Sequence, residues 1–558
     1  VVMGMWHAVR GNRRGAIALL AATLAGCASH ATLTDSRAAV AGAIVDAEQR
    51  CTALASYSGW GVNVTTARLT PEGRVLAEDG SGRVDPSRPI VPAHCLVQGV
   101  INQRTGADGR EFGIGFDMRL PLDWNGRFAF HGGAGMDGWL MPAIGDIDAT
   151  VNPPALTRGF AVISTNGGHS GFFTDASFGT DQQARIDYAY NALDKTTLLG
   201  KELVRAFYGS KPEYSYMLGC SNGGRQGLIA SQRLPLHFDG IVSGDPSLRF
   251  SRIAIDEMWN QNVLAKIAPR DESGQPIISQ VFSDADLQLV RGGVLKQCDA
   301  LDGLKDGLIH DWQACGFDPG VLTCKGGKTA SCLSNDQVGA LRAMHEGPRT
   351  RDGTSIYGPF NYDTGIASDA WRGMRLGRST SGQSDAADAT LGLGQFSLYQ
   401  LTPPEPGFDP KGPVDWDDVL ERVRHTAALG DADSPFLNTF ASRGKMIVYN
   451  GLSDQGMASS ELVDWYDQVV DVNGESVRDS VRLFLIPGMT HCRGGEATDE
   501  FDMLDAIQAW VERGEAPDRI RATSRSIPGI SRPLCPHPKV ARYVGGDPAS
   551  ADSFECRE

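Results

Sequence analysis

The run Gly219-Cys220-Ser221-Asn222-Gly223 constrains the fold more than any other stretch of this chain. The β-prone residues Tyr214 to Leu218 predict a strand just before it, and Gly224 to Arg233 predict a helix just after it. A G-x-S-x-G run between a strand and a helix predicts a sharp turn that lifts the serine hydroxyl out of the end of a sheet. Glycines flank the serine because such a turn leaves no room for Cβ atoms. The flanking sequence agrees with a sheet of this kind. Phe112 to Leu120 alternates like a strand, and Arg127 to His131 and Phe160 to Thr165 are further β-rich runs. Asp181 to Tyr208 has helical spacing, and Ile241 to Ser243 begins another strand. Alternating strand and helix is the pattern of a mostly parallel α/β sheet.

That pattern is interrupted. From about residue 248 to 435 strand-like runs are sparse, while Gly and Pro clusters, Asp-Gly turns and four cysteines accumulate, which reads as a large inserted lid. Strand signals return at Lys445 to Tyr449 and Val481 to Ile486, with helices expected at Ser459 to Val470 and Asp502 to Arg513. The expected organisation is a targeting segment over 1–27, a polar tether over 28–50, sheet core over 51–247, lid over 248–435 and the rest of the core over 436–558. At 558 residues, the chain is long enough for roughly two to four domains of about 150 residues.

A serine hydroxyl is a weak nucleophile and needs a base. His491 follows the strand at Val481 to Ile486, on the loop Pro487-Gly488-Met489-Thr490-His491-Cys492, where α/β folds collect catalytic groups. His131 and His310 are rivals, as is His169, but His169 precedes Ser221 and so breaks the order serine, acid, histidine. The acid should follow a strand between Ser221 and His491. Asp454, in the turn Asn450-Gly451-Leu452-Ser453-Asp454 after Lys445 to Tyr449, fits; Asp464 and Asp467 read as surface charges on the next helix. The oxyanion needs backbone N–H donors. One is expected from Asn222, the other from the glycine-rich run His131-Gly132-Gly133-Ala134-Gly135, with Gly132 and Gly133 as the candidates.

The net charge of −15 argues against nucleic acid and against a general affinity for anionic lipid. Arg10, Arg13 and Arg14 precede a short apolar run, Ala16 to Leu24, which ends in Leu24-Ala25-Gly26-Cys27. That reads as an export signal of lipoprotein type, with acylation expected at Cys27 and a plain signal peptide as the alternative. The expected location is the periplasm or cell envelope, with membrane contact only through that anchor. Without Cys27, ten of the 11 cysteines remain, an even set suited to disulfides in an exported protein. Proximity favours Cys298–Cys315, Cys324–Cys332 and Cys535–Cys556, and leaves Cys51, Cys95, Cys220 and Cys492. If Cys220 and Cys492 were bonded, their Cα atoms would lie about 5.5 Å apart, with Ser221 and His491 side by side.

Five segments together resemble the tannase and feruloyl esterase family: Trp124-Asn125-Gly126-Arg127-Phe128, Gly159-Phe160-Ala161-Val162, Gly219 to Gly227, Ser453-Asp454 and Pro487 to Cys492. The resemblance spans most of the chain beyond about residue 50. It implies an α/β-hydrolase fold with a large inserted lid, a Ser221–His491–Asp454 triad, and a small aromatic ester as substrate, of feruloyl or galloyl type. It also implies the Cys220–Cys492 bridge, and the full set of bridges expected includes Cys51–Cys95. The family's lid carries calcium, which maps onto Cys298 to Leu308. Here Asp299, Asp302 and Asp306 crowd between Asp-Gly turns, and the carbonyls of Leu304 and Leu308 would complete an oxygen shell suited to a structural Ca²⁺. Hydrolysis of mono(2-hydroxyethyl) terephthalate is the alternative activity. The family's enzyme for that ester has phenylalanine where this chain has Met457, and an acidic residue where it has Asn222. Met457, Trp259, Trp371 and Phe396 are the expected substrate contacts. The residues that grip a substrate carboxylate would fall near Thr390 to Pro404. A noncatalytic lipoprotein that only binds aromatic esters is the reading from another class, and a peptidase of the same fold is a further rival.

Overall fold

A computed structural model describes residues 46–75, 89–147 and 153–558. The expected targeting segment, Cys27 and most of the expected tether lie outside them. Nine strands form one sheet. They are β1 (Val62–Thr70), β2 (His94–Thr105), β3 (Glu111–Pro121), β4 (Arg127–His131), β5 (Ala161–Thr165), β6 (Tyr214–Cys220), β7 (Gly240–Gly244), β8 (Lys445–Gly451) and β9 (Val481–Ile486). Their order across the sheet is β1-β2-β3-β5-β4-β6-β7-β8-β9. The first three are joined antiparallel and β3 meets β5 antiparallel; from β5 onward every pairing is parallel.

The central strands are apolar on both faces because both faces are covered. On one side Phe128, Phe130, Met217, Ile241 and Val448 share a core with three helices: α1 (Ala192–Tyr208), α2 (Asn222–Arg233) and α4 (Ser459–Asn473). On the other, Ala129, Tyr216, Leu218, Val242 and Tyr449 pack with Leu504, Ile507 and Trp510 of α5 (Met503–Arg513). The helix expected over Asp181 to Tyr208 is regular only from Ala192; a wider turn at Asp187–Asn191 separates it from Gln182–Ile186.

The insertion lies between the end of β7 and the start of β8. It opens with the 18-residue helix α3 (Phe250–Ile267) and has its own apolar core, which includes Leu264, Phe282, Leu287, Val290 and Leu341. Ten cysteines are joined as Cys51–Cys95, Cys220–Cys492, Cys298–Cys315, Cys324–Cys332 and Cys535–Cys556. Among the described residues no helix is long and apolar enough to cross a membrane.

Candidate active site

Ser221 sits between β6 and α2 with φ +61° and ψ −122°, a left-handed backbone that is costly for a residue with a side chain. Close approach of three neighbouring segments enforces it. A Cβ on Gly219 would meet the Gly223 backbone at 2.7 Å, and one on Gly224 would meet the Gly244 carbonyl at 2.2 Å. The Ser221 N–H donates to the Gly244 carbonyl at 3.0 Å, which ties the turn to the end of β7.

His491 lies on a tight loop after β9. The Thr490 N–H donates to the Gly494 carbonyl at 3.2 Å, and the Gly494 N–H to Asp499 Oδ2 at 2.9 Å. Its Nδ1 is 2.7 Å from Oδ2 of Asp454, on the turn after β8. The other Asp454 oxygen, Oδ1, accepts the N–H groups of Gly456 at 2.8 Å and Met457 at 3.0 Å. Burial disfavours the Asp454 carboxylate, but the neighbouring His491 charge and these hydrogen bonds outweigh it and hold its pKa below the ordinary value. The Asp454 side chain is fully buried, whereas that of His491 is 27% exposed, so the imidazole is the partner open to a ligand. The Cys220–Cys492 disulfide ties the residue before the serine to the residue after the histidine, with Cα atoms 6.0 Å apart.

Ser221 and His491 line one cleft of about 390 Å³, within the range that takes a small ligand. Its walls include Met141, Ile147, Phe173, the lid residue Leu391, and Arg493. Of the expected oxyanion donors, Gly132 and Gly133 both have their N–H groups engaged. The Gly132 N–H donates to the Leu218 carbonyl at 2.8 Å as the β4–β6 pairing continues, and the Gly133 N–H donates to Gln226 Oε1 at 3.0 Å. The next residue on the cleft wall, Ala134, turns its N–H toward the Asp137 carboxylate. Asn222 begins α2, so its N–H has no acceptor within the helix.

The Asn222 side chain is fixed from both sides. Its amide donates to Asp137 Oδ1 at 2.7 Å, and its oxygen accepts Arg225 Nε at 2.9 Å and Nη2 at 2.7 Å. Burial pushes the Asp137 carboxyl up to about 7, against the pull of Asn222, Arg225 and Gln226. Arg225 is itself fully buried and lies over the Tyr188 ring. Asp137 and Arg225 escaped the sequence reading, as did Asp245, the first residue after β7. For Asp245 a signal existed: it is a carboxylate at the C-terminal end of a strand beside the one that ends just before Ser221.

The expected substrate contacts are dispersed. Phe396 is buried in the lid against Phe408, ring centroids 4.8 Å apart. Trp259 donates its indole N–H to the Ala343 carbonyl at 2.8 Å and packs edge-on to Trp416. Trp371 lines a separate small cavity behind Asp454. Met457 packs on Ile253, Tyr357 and Ala458. None of the four is among the residues lining the Ser221 cleft, because packing within the lid, or between lid and core, engages each of them. The rival histidines differ in setting. His131 lines the cleft, while His169 is buried and stacked on Phe178 at 3.7 Å, and His310 is buried 6.2 Å from the Phe554 ring.

In the lid loop, Asp299 Oδ1 accepts the N–H groups of Asp306 and Gly307, and Asp302 accepts those of Leu304 and His310. Asp306 accepts the Leu308 N–H and pairs with Arg532 at 2.5 Å. Burial, together with the charges of Asp306 and Asp299, raises the Asp302 carboxyl to about 7.

Comparison with known proteins agrees with this architecture. The family described as tannase and feruloyl esterase matches residues 95–557. A mono(2-hydroxyethyl) terephthalate hydrolase of Piscinibacter sakaiensis is 39% identical over 84% of this chain and 86% of its own. A probable feruloyl esterase of Arthroderma benhamiae is 29% identical over 79% of this chain and 81% of its own. Among solved structures, feruloyl esterase B from Aspergillus oryzae superposes with a TM-score of 0.77 at 25% identity, covering 92% of this chain and all of that one. Tannin acyl hydrolase from Aspergillus niger shares the fold, with a TM-score of 0.69 at 20% identity over 90% of this chain and 93% of its own. An α/β-hydrolase sheet, a serine at its strand-to-helix turn and a family match over nearly the whole described chain lead to one conclusion: this chain belongs to the tannase and feruloyl esterase family and is a carboxylic ester hydrolase.

Proposed function

We propose that the chain hydrolyses esters of aromatic acids through a Ser221–His491–Asp454 triad and an acyl-enzyme. Ser221 Oγ attacks the ester carbonyl while His491 takes its proton, and Asp454 holds the imidazole and stabilises its charged form. The oxyanion forms against the N–H of Asn222, the first residue of α2. His491 then protonates the departing alcohol, and water repeats the cycle on the acyl-enzyme. The observation that carries this reading is the Cys220–Cys492 bridge, which joins the neighbours of the attacking serine and of an imidazole already bonded to a buried carboxylate. The apolar cleft wall of Met141, Ile147, Phe173 and Leu391 supports an aromatic group there.

A hydroxycinnamate or hydroxybenzoate ester is the leading substrate class. A terephthalate monoester is the second reading, favoured by the 39% identity to the mono(2-hydroxyethyl) terephthalate hydrolase of Piscinibacter sakaiensis. A fluorophosphonate probe should label the wild type and not Ser221→Ala. A panel of methyl ferulate, a gallate ester, mono(2-hydroxyethyl) terephthalate and a peptide should then show ester cleavage. Cleavage of the peptide alone would end the esterase mechanism proposed here.

In the lid, the carboxylates of Asp299, Asp302 and Asp306 with the carbonyls of Leu304 and Leu308 would hold Ca²⁺. The residues fit, since three acidic groups repel one another around a buried Asp302, and hard oxygen donors suit that ion. The ion would stiffen the lid loop and take no part in acyl transfer. A chelator should lower Tm, by the equivalent of about 2.7 kcal/mol if calcium was present at a hundredfold excess over its Kd. An unchanged Tm after verified metal removal would refute the site. Five disulfides fit an oxidising compartment, so export is proposed too, with mass spectrometry of the mature N-terminus as the test of acylation at Cys27.

A further inference from the structure

One buried carboxyl group beside the triad has no part in the mechanism above. Asp245 is fully buried at the end of β7, with φ +37°. Its backbone N–H donates to the Tyr449 carbonyl at 2.7 Å, and its Oδ1 accepts the Gly451 N–H at 2.8 Å. Its Oδ2 lies 3.7 Å from Cys220 Sγ, whose disulfide leaves it no hydrogen to donate. Atoms of Asp245, Asp454 and His491 lie within 4.8 Å of one another, so the two buried carboxyl groups are near neighbours. Asp245 therefore touches the ends of β6 and β8 at once, under the residues that orient the imidazole.

Two buried carboxyl groups this close cannot both be ionised without heavy repulsion. The division of the proton follows from their other partners. Asp454 receives His491 and two backbone N–H groups, all of which favour its anion. Asp245 receives one N–H and no cation contact apart from the more distant His491. We propose that Asp245 is a positioning residue of the triad: its carboxyl O–H donates to the Asp454 carboxylate and fixes the oxygen pair that receives the imidazole. The inference rests on the Ser221–His491–Asp454 reading.

Burial first, and then the Asp454 charge, raise the Asp245 pKa well above the usual carboxylate range. The charged groups that face it are Asp454 from the turn after β8 and His491 from the loop after β9; the Cys220–Cys492 bridge does not titrate, and the Tyr449 ring packs on the adjoining Gly244. A raised folded-state pKa means that the donor is present at low and neutral pH and is lost as pH rises through that value. The donated hydrogen bond would then become a pair of buried anions.

Asn is close to isosteric, tolerates this backbone, accepts from Gly451 through its oxygen and donates to Asp454 through its amide at every pH. The experiment compares kcat and KM of Asp245→Ala and Asp245→Asn with the wild type from pH 6 to 10 on one turnover ester, with fluorophosphonate labelling in parallel. We expect Asp245→Ala to lose tenfold or more in kcat with KM within twofold. Asp245→Asn should recover most of that loss and lack an alkaline fall in kcat that the wild type shows. Equal kcat in wild type and Asp245→Ala, or the same alkaline limb in wild type and Asp245→Asn, overturns the proposal. If Asp245→Ala does not fold, the Asp245→Asn profile alone decides. Labelling of Ser221→Ala by the probe would instead bring down the triad reading, whatever the Asp245 variants do.

Discussion

The sheet core and the lid are built on opposite plans. In the core, regular strands carry the residues of the proposed triad on the turns that follow them: Ser221 after β6, Asp454 after β8 and His491 after β9. One covalent bridge and a few backbone hydrogen bonds align those turns. Among the described residues the lid has helices joined by long loops, two local disulfides and no strand of the main sheet, and it sends Leu391 alone to the wall of the cleft. On the proposed mechanism the core sets what bond is broken, and the lid sets what is held while it breaks. The comparison predicts that core changes act on kcat, while lid changes act on stability or KM.

The largest effect should come from the core acid. Asp454→Asn keeps the shape but loses the charge that stabilises the imidazolium, so kcat should fall about 10⁴-fold with little change in Tm. Stopped-flow or steady-state assay on the best ester of the panel reads it. A loss of less than tenfold would leave Asp454 a structural acid and break the assignment of chemistry to the core.

Next come the disulfides, where the two regions can be set side by side. Cys220–Cys492 spans 272 residues, so its loss should cost roughly 5 kcal/mol in loop entropy, against about 2.5 kcal/mol for Cys324–Cys332, which spans 8. The more telling contrast is in rate. The double variant Cys220→Ser, Cys492→Ser should lose about 10²-fold in kcat, because small misplacements of a base are that costly. Cys324→Ser with Cys332→Ser should lower Tm and leave kcat within twofold. Equal rate losses from both pairs would remove the positioning role of the core bridge.

The same contrast governs what could be read from the sequence. Strands β4 to β9 were legible because burial on both faces makes them short apolar runs, and the elbow was legible because its glycines and its flanking elements are contiguous. The residues of the proposed triad could be picked out from chain order and strand ends. The lid helix α3 was not legible. Asp256, Glu257, Asn260, Gln261 and Asn262 are all buried on it, held by Arg375 and by carbonyls of distant loops, so it lacks the polar face that marks an amphipathic helix. The oxyanion candidates failed for a related reason. Whether Gly132 or Gly133 has a free N–H depends on Leu218 and Gln226, which lie far off in sequence. Asp245 was hidden in the same way, since its role exists only where the ends of three strands meet.

The smallest effect tests how the lid reaches the site. Leu391 lines the cleft, whereas Phe396, five residues on, is fully buried against Phe408 in the lid's interior. Aromatic character alone favoured Phe396 as the substrate contact; the geometry favours the aliphatic residue. Truncating Leu391 to Ala removes apolar contact worth about 1–2 kcal/mol if a substrate ring covers it, so kcat/KM should fall about five- to thirtyfold, mostly through KM. Phe396→Leu should cost about 1 kcal/mol of stability and leave KM unchanged. Michaelis kinetics and thermal unfolding of the two variants decide between them. The opposite outcome, with KM raised by Phe396→Leu and untouched by Leu391→Ala, would mean that the lid opens to present its interior to the ester, and the division of labour between the two regions would have to be redrawn.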